Sequence, residues 1–248
     1  MKIVELLEWD SNYFGFPVAQ IQSRTLSQNH LDEVLHFCKK YDVRLLQFKC
    51  DAHHRESIIL AEQGKFHFVD VRLTLSQKLF KSNEFTINMP PDLIFRKGEI
   101  SDIPALKSIV TDLYTQSRYY FDTNFPRNDV HGFYQNWIEK SVHGNFDDLV
   151  YVLCQNDIPI GCCSVLYKTN EIASIGLFGI DPSFGGKGFG KILIDKVLLS
   201  LSNEGIKTVS VATQGRNYIA QKLYQSAGFC NEKMEIYYHK WFLGSDKD

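Results

Sequence analysis

The sequence predicts an α/β chain in two parts, a smaller N-terminal α/β unit followed by a larger domain, and three stretches carry that reading. The first runs from Ile175 to Lys191, where an apolar strand gives way to a glycine-rich turn and then a helix. The second is the strand-like Val209 to Gln214, followed by a helical phrase, Asn217 to Phe229, that stops at Gly228. The third is Ile58 to Phe66 with the strand-like Phe68 to Leu75 behind it. It echoes Leu223 to Phe229 and the following strand Met234 to His239. The echo keeps helix, glycine stop and strand but lacks a glycine-rich turn, so the first part reads as a degenerate copy of the second without a cofactor site.

Taken in order, strands are predicted at Lys2 to Glu8, Pro17 to Gln22 and Asp42 to Lys49, with a helix over Gln28 to Lys40. The polar stretch Lys81 to Asn88, ending at Met89-Pro90-Pro91, reads as a linker, which divides the chain into residues 1–85 and 92–248. The second part opens with a strand near Leu93 to Arg96. A helix follows that is capped by Ser101, and another spans about His131 to Val142. Between those helices, Gln116 to Phe125 is too aromatic for a plain connection. Beside Arg118, its rings suit either an exposed surface that stacks a base and binds phosphate or a buried hydrophobic lid.

Gly185, Gly186, Gly188 and Gly190 can take backbone angles barred to other residues, so successive N–H groups can converge on an anion at the positive end of the next helix. Lys187 and Lys191 add charge, and Ile192, Leu193, Ile194, Val197, Leu198 and Leu201 give that helix a broad apolar face. Walker A is excluded, because Gly186-Lys187 is followed by Gly188 and no hydroxyl is placed for magnesium. A Gly-x-Gly-x-x-Gly dinucleotide fingerprint fails at Lys191.

The loop Gly185-Gly186-Lys187-Gly188-Phe189-Gly190 resembles the pyrophosphate loop of GNAT acyltransferases, Gln/Arg-x-x-Gly-x-Gly/Ala, departing from it at Gly185. The phrase Asn217-Tyr218-Ile219-Ala220-Gln221-Lys222-Leu223-Tyr224-Gln225-Ser226-Ala227-Gly228-Phe229 matches the family pattern Asn-x-x-Ala-x-x-Leu-Tyr-x-x-x-Gly-Phe at every fixed place. On its own spacing, Asn217 is an N-cap, Gly228 suits a left-handed stop and Tyr224 reads as a core aromatic. The resemblance implies more: a mixed, mostly antiparallel central sheet flanked by helices, with acyl-coenzyme A as cosubstrate. It further implies that Tyr224 protonates the departing thiolate and that the central strand is Ala173 to Asp181. Along that strand Leu177, Phe178, Gly179 and Ile180 would meet the pantetheine arm and thioester. Gly185 to Lys191 would cradle the pyrophosphate, and Asn217 completes the cofactor set.

Composition favours a small-molecule partner over nucleic acid, since 27 basic residues face 29 acidic ones. Six cysteines form no Cys-x-x-Cys pair and the histidines show no ligand spacing, so neither a disulfide framework nor a metal site is expected. The N-terminus shows no signal-peptide core and no apolar run approaches membrane length, which gives a cytoplasmic expectation.

A narrower resemblance runs along nearly the whole chain. Glu8-Trp9-Asp10-Ser11, Asp102 to Leu106, Gln116-Ser117-Arg118, Phe133 to Glu139, Gly144 to Asp147 and Val211 to Gln214 are similar to the dTDP-fucosamine acetyltransferase group of dTDP-amino-dideoxyhexose N-acyltransferases. This implies acylation of a dTDP-linked amino sugar for surface polysaccharide, with Gln116, Arg118, Tyr119 and Tyr134 toward the sugar nucleotide. Homodimerisation is left open, as are the acyl chain and the position of the amine. Glu171 and Asp181, near the ends of the central strand, are the candidate bases acting through water, with solvated surface roles the competing reading.

Overall fold

The inner strands of the first unit are buried on both faces, one apolar and the other carrying polar side chains. The computed structural model describes residues 2–79 and 89–242; the predicted linker at 81–88 lies outside the described residues. The described chain divides into two compact units. The first holds residues 2–72, 117–124 and 234–242, and the second 73–79, 89–116 and 125–233. This departs from the expected boundaries, because the aromatic segment after Gln116 and the end of the chain join the N-terminal unit.

In the first unit, β1 (Val4–Leu6), β2 (Val18–Ile21), β3 (Leu45–Asp51) and β10 (Cys230–Trp241) lie side by side. β1 pairs antiparallel with β2, β2 parallel with β3, and β3 antiparallel with β10. Ala19, Ile21, Leu46, Phe48 and Tyr238 point one way and bury against Leu31, Val34 and Cys38 of α2 (Gln28–Lys40) and Ala61 of α3 (Arg55–Gln63). The alternate residues Gln20, Gln47, Tyr237 and His239 share the other face and are all buried. That face is covered by α1 (Glu8–Phe14), which the sequence reading missed, and by the four-residue α5 (Arg118–Phe121).

Hydrogen bonds link the buried polar groups of that face to one another. Tyr237 Oη donates to Gln47 Oε1 (3.1 Å), and Tyr119 Oη donates to Asp10 Oδ1 (2.6 Å) while accepting from Arg118 Nη2 (2.7 Å). Asp122 Oδ2 accepts from Trp241 Nε1 (2.8 Å) and lies 2.7 Å from His239 Nδ1. Burial resists ionisation of Asp122, but the His239 and Trp241 donors outweigh it and hold the carboxyl at about 2. Burial also keeps the His239 imidazole below its ordinary 6.5, against the pull of Asp122.

In the second unit the strand order is β4 (His67–Lys78), β9 (Thr208–Gln214), β8 (Ile172–Ile180), β7 (Ile158–Thr169), β6 (Leu149–Gln155) and β5 (Leu93–Lys97). β5–β6, β6–β7 and β7–β8 are antiparallel and β8–β9 is parallel, giving a mixed, mostly antiparallel sheet. It is flanked by α4 (Ile103–Thr111), α6 (Arg127–Val142), α7 (Phe189–Asn203) and α8 (Tyr218–Ser226). Leu193, Ile194, Val197, Leu198 and Leu201 of α7 are buried, as the periodicity predicts. Ser101 is not the cap before α4. Glu99 and Asp102 form a capping box there instead, with Asp102 held by a bidentate Arg96 at 2.7 and 2.8 Å. The echo of Leu223 to Phe229 also differs in detail: Gly228 takes the left-handed stop (φ 95°), whereas after α3 the left-handed residue is Lys65 (φ 55°) and not Gly64.

Because the folded pKa of His239 lies below its unfolded value, the unfolded chain takes up that proton first. This part of the stability is whole above pH ~6.5 and is lost as pH falls below it. Thermal melting at pH 7.5 and 5.5 should therefore show a loss of stability on acidification that shrinks in His239→Gln, and an unchanged pH slope in that variant would contradict the assignment.

Candidate active site

In the second unit, β8 and β9 pair from Ile172↔Thr208 to Ile175↔Val211 and then part, although both strands continue. The divergence opens a cleft of about 420 Å³. Its walls come from the free end of β8 (Gly176, Phe178, Gly179, Ile180), the turn and first residues of α7 (Phe184 to Gly186, Gly188 to Lys191), the end of β9, the start of α8 (Asn217, Ile219, Ala220, Leu223, Tyr224) and the loop after α4 (Leu113 to Gln116).

One bulge sets the direction of the β8 amides. Cys163 pairs with Phe178 and Val165 with Ile175, so Gly176 and Leu177 together face the single residue Ser164. Leu177 N–H donates to Ser164 Oγ (2.7 Å), and Ser164 Oγ donates to the buried carboxylate of Asp147 (2.5 Å). The same Asp147 oxygen accepts from Trp137 Nε1 (2.8 Å) and lies 3.1 Å from Ser141 Oγ. Gly176 makes room for it: a Cβ there would stand 2.4 Å from Asp147 Oδ2. Past the bulge, Phe178 N–H points away from β7 and meets the Tyr114 hydroxyl at 2.9 Å.

The glycine turn has the features of an anion cradle. Gly186 and Gly188 have φ of 74° and 81°, in the left-handed region, and nothing within 4 Å would meet a Cβ at either, so the backbone there is open to a ligand. Among the described residues the amides of Gly186, Lys187 and Gly188 donate to no backbone carbonyl, and α7 has no side-chain N-cap. Gly185 and Gly190 do not take positive φ; Gly190 lies in the first turn of α7, where a Cβ would make only ordinary contact with Leu223, at 3.5 Å.

At the other end of the cleft, Asn217 caps α8 by accepting from Ala220 N–H (3.1 Å). Tyr224 is 4 % exposed, with its ring edge-on to Phe178 and packed on Phe229. Among the described residues its hydroxyl makes no hydrogen bond, and the residue borders the cleft. Burial, with Cys163 adding to it, raises its pKa far above the ordinary value, so it carries its proton at neutral pH.

The expected residues do not all meet here. Phe178, Gly179, Ile180, Gly185, Gly186, Gly188, Phe189, Gly190, Lys191, Asn217, Tyr224 and Gln116 line the cleft. Leu177 does not: it is buried and its N–H is spent on Ser164. Lys187 lies over the Phe184 ring, 5.0 Å from its centroid, and Lys191 Nζ is paired with Asp195 at 2.5 Å. Tyr134 is buried on α6 and stacks on Tyr114, with ring centroids 4.3 Å apart. Arg118 and Tyr119 belong to the first unit, where Tyr119 is 1 % exposed and Arg118 lies over the Tyr119 and Tyr237 rings. Of the two readings of that segment, burial of Tyr119 and Tyr120 favours the hydrophobic one, leaving only Phe121 half exposed. The candidate bases have structural partners as well: Glu171 pairs with Lys207, and Asp181 accepts from Ser183 N–H (2.8 Å) to cap its own turn. Tyr114 and the Asp147–Ser164 pair escaped sequence reading. Gly176 and Gly179 inside a strand were the available signal, since strand glycines mark close approach.

The split sheet, the amide-lined glycine turn before α7 and the Tyr224 hydroxyl border one cleft. Residues 108–229 match the Acetyltransferase (GNAT) family model. The chain is 34 % identical over 228 residues to the dTDP-fucosamine acetyltransferase of Escherichia coli, covering 91 % of this chain and 92 % of that one. The chain belongs to the GNAT acetyltransferase family. It is also 27 % identical over 183 residues to the spore coat polysaccharide biosynthesis protein SpsD of Bacillus subtilis, spanning 74 % of this chain and only 61 % of that protein. Among solved structures, a GCN5-related N-acetyltransferase from Sphaerobacter thermophilus shares the fold at TM-score 0.62 and 14 % identity, over 96 % of this chain and 76 % of that one. Like other members, this GNAT chain is an acyltransferase that uses acyl-CoA. Among the described residues no helix is long and apolar enough to cross a membrane, and no group of three or more His, Cys, Asp or Glu could hold a metal.

Ser164→Ala should remove the acceptor for Leu177 N–H and a donor to Asp147, lowering stability by about 1–3 kcal/mol, the usual cost of buried polar groups left unpaired. Urea unfolding measures this, and an unchanged midpoint would mean that the bulge does not rest on that hydroxyl.

Proposed function

We propose that the protein moves an acyl group from acyl-CoA to the amine of a dTDP-linked amino-dideoxyhexose, a step in making surface polysaccharide. The observation that carries this reading is the similarity along nearly the full length, both units included, to an enzyme named for a dTDP-fucosamine acceptor.

The chemistry assigns a task to each part of the cleft. The amides of Gly186 to Gly188 and the N-terminus of α7 would hold the pyrophosphate. The free edge of β8 would hold the pantetheine arm, with the thioester beside Phe178. The amine nitrogen attacks the thioester carbon, forming the C–N bond, while the C–S bond breaks and its electron pair goes to sulfur. The Tyr224 hydroxyl gives the thiolate a proton, the nitrogen loses one to water, and Tyr224 is reprotonated from solvent. Because Tyr224 has no competing hydrogen bond among the described residues, its proton is available for this transfer. Acceptor binding at the cleft would draw on Gln116, in the loop after α4.

Release of CoA thiol should be fast with dTDP-3-amino- or dTDP-4-amino-dideoxyhexoses and slow with peptide amines. Turnover of a peptide but of no dTDP-amino sugar would overturn the acceptor while leaving the acyltransferase intact. Tyr224→Phe keeps the ring packing, so kcat should fall by roughly 10²-fold or more with little change in the KM for acyl-CoA; near wild-type kcat in the folded variant would return Tyr224 to a packing role. Gly188→Val places a branched side chain at φ 81° and should weaken CoA binding in calorimetry, and an unchanged Kd in a folded variant would move the diphosphate elsewhere.

A further inference from the structure

One hydroxyl in the cleft has no part in that scheme. Tyr114 Oη accepts from Phe178 N–H (2.9 Å) and donates to Phe178 O (3.2 Å), spanning the peptide edge that faces the gap left by β9. We propose that Tyr114 is a second oxyanion donor. When a thioester fills the cleft, its hydroxyl, still accepting from Phe178 N–H, turns to donate to the acyl oxygen. The inference rests on the acyl-CoA reading above.

Three observations support it. The bulge spends Leu177 N–H on Ser164, so Phe178 N–H is the next β8 amide turned outward, and Tyr114 Oη, in the cleft wall, accepts from it. A hydroxyl has one proton and two acceptor sites, so rotation alone moves its proton from the neutral Phe178 carbonyl to a developing anion while the oxygen keeps the Phe178 N–H bond that polarises it, and hydrogen bonds to anions are the stronger kind. The ring is fixed in place. It stacks on Tyr134 at 4.3 Å, Tyr134 stacks on Trp137 at 6.4 Å, and Trp137 Nε1 is tied to Asp147 at 2.8 Å. Leu113 seats the same loop on β8, where a Cβ at Gly179 would stand 2.0 Å from Leu113 Cδ1. A donor held this way costs little reorganisation at the moment of reaction. Burial keeps the Tyr114 phenol protonated, as a donor must be. Tyr224 would then serve the sulfur and Tyr114 the oxygen, one hydroxyl for each atom that gains charge.

The test separates this claim from the acceptor and cofactor readings by using S-acetonyl-CoA, a stable ketone in place of the thioester, beside CoA itself. In Tyr114→Phe the Kd of S-acetonyl-CoA should rise about tenfold, the worth of one hydrogen bond, while that of CoA stays within twofold. With a turned-over amine, kcat should fall about 10²-fold at nearly constant KM. 3-Fluorotyrosine at position 114 preserves the packing and strengthens the donor, so it should tighten S-acetonyl-CoA binding. Binding of S-acetonyl-CoA to Tyr114→Phe as tight as to wild type, or tighter, would mean the hydroxyl merely masks the amide. Equal loss for CoA and its ketone would mean a structural role, and either result overturns the proposal. Failure of wild type to bind CoA at all would sink the cofactor reading and this inference with it.

Discussion

The hydrogen bond from Leu177 N–H to Ser164 Oγ decides what the cleft can do. A regular β8 would alternate its amides between β7 and β9, but at the bulge two β8 residues face one on β7 and the phase of the strand shifts. Ser164 can absorb the extra N–H only because its own proton has a destination in the buried Asp147, which Trp137 and Ser141 also hold. Remove the carboxylate and the hydroxyl loses its orientation. Gly176 is part of the same arrangement, since any side chain there would displace Asp147. From this buried network follow the outward Phe178 amide, the position of Tyr114 and the edge against which Tyr224 stands.

The first unit repeats the mixture of parallel and antiparallel pairing, yet it puts its polar residues to another use. Its sheet presents Gln20, Gln47, Tyr237 and His239 on a buried face that Asp10, Arg118, Tyr119 and Asp122 satisfy. Buried polar networks of this kind specify one packing more than they add stability, because each group left unpaired is costly. Here the network fixes Ser117 to Asn124, and with it the guanidinium of Arg118, on the N-terminal unit.

How much was legible in the sequence follows from the physics of each feature. The glycine turn and the Asn217 to Phe229 helix could be read because backbone geometry demands particular residues: open left-handed positions at Gly186 and Gly188, a side-chain cap at Asn217 and a left-handed stop at Gly228. α2 and the buried face of α7 were legible from periodicity, α2 to the residue, while the family resemblance put the central strand within a residue of β8 at each end. The Asp147–Ser164–Leu177 chain was not, because it joins residues far apart in sequence whose letters are common. The roles of Arg118 and Tyr119 were open for the same reason, since an aromatic run has one spelling whether it faces water or a sheet of glutamines. The Ser101 cap was displaced by Arg96, which binds Asp102 from a neighbouring strand and makes Glu99 the better terminus.

The central claim is that the gap between β8 and β9, closed at one end by the glycine turn, holds the acyl donor. Amide hydrogen exchange with and without acetyl-CoA tests it residue by residue. The account predicts slowed exchange at Gly186, Lys187, Gly188 and Phe178, with the apolar core face of the N-terminal unit unaffected. Protection confined to that unit, or none at the glycine turn under saturating acetyl-CoA, would contradict it.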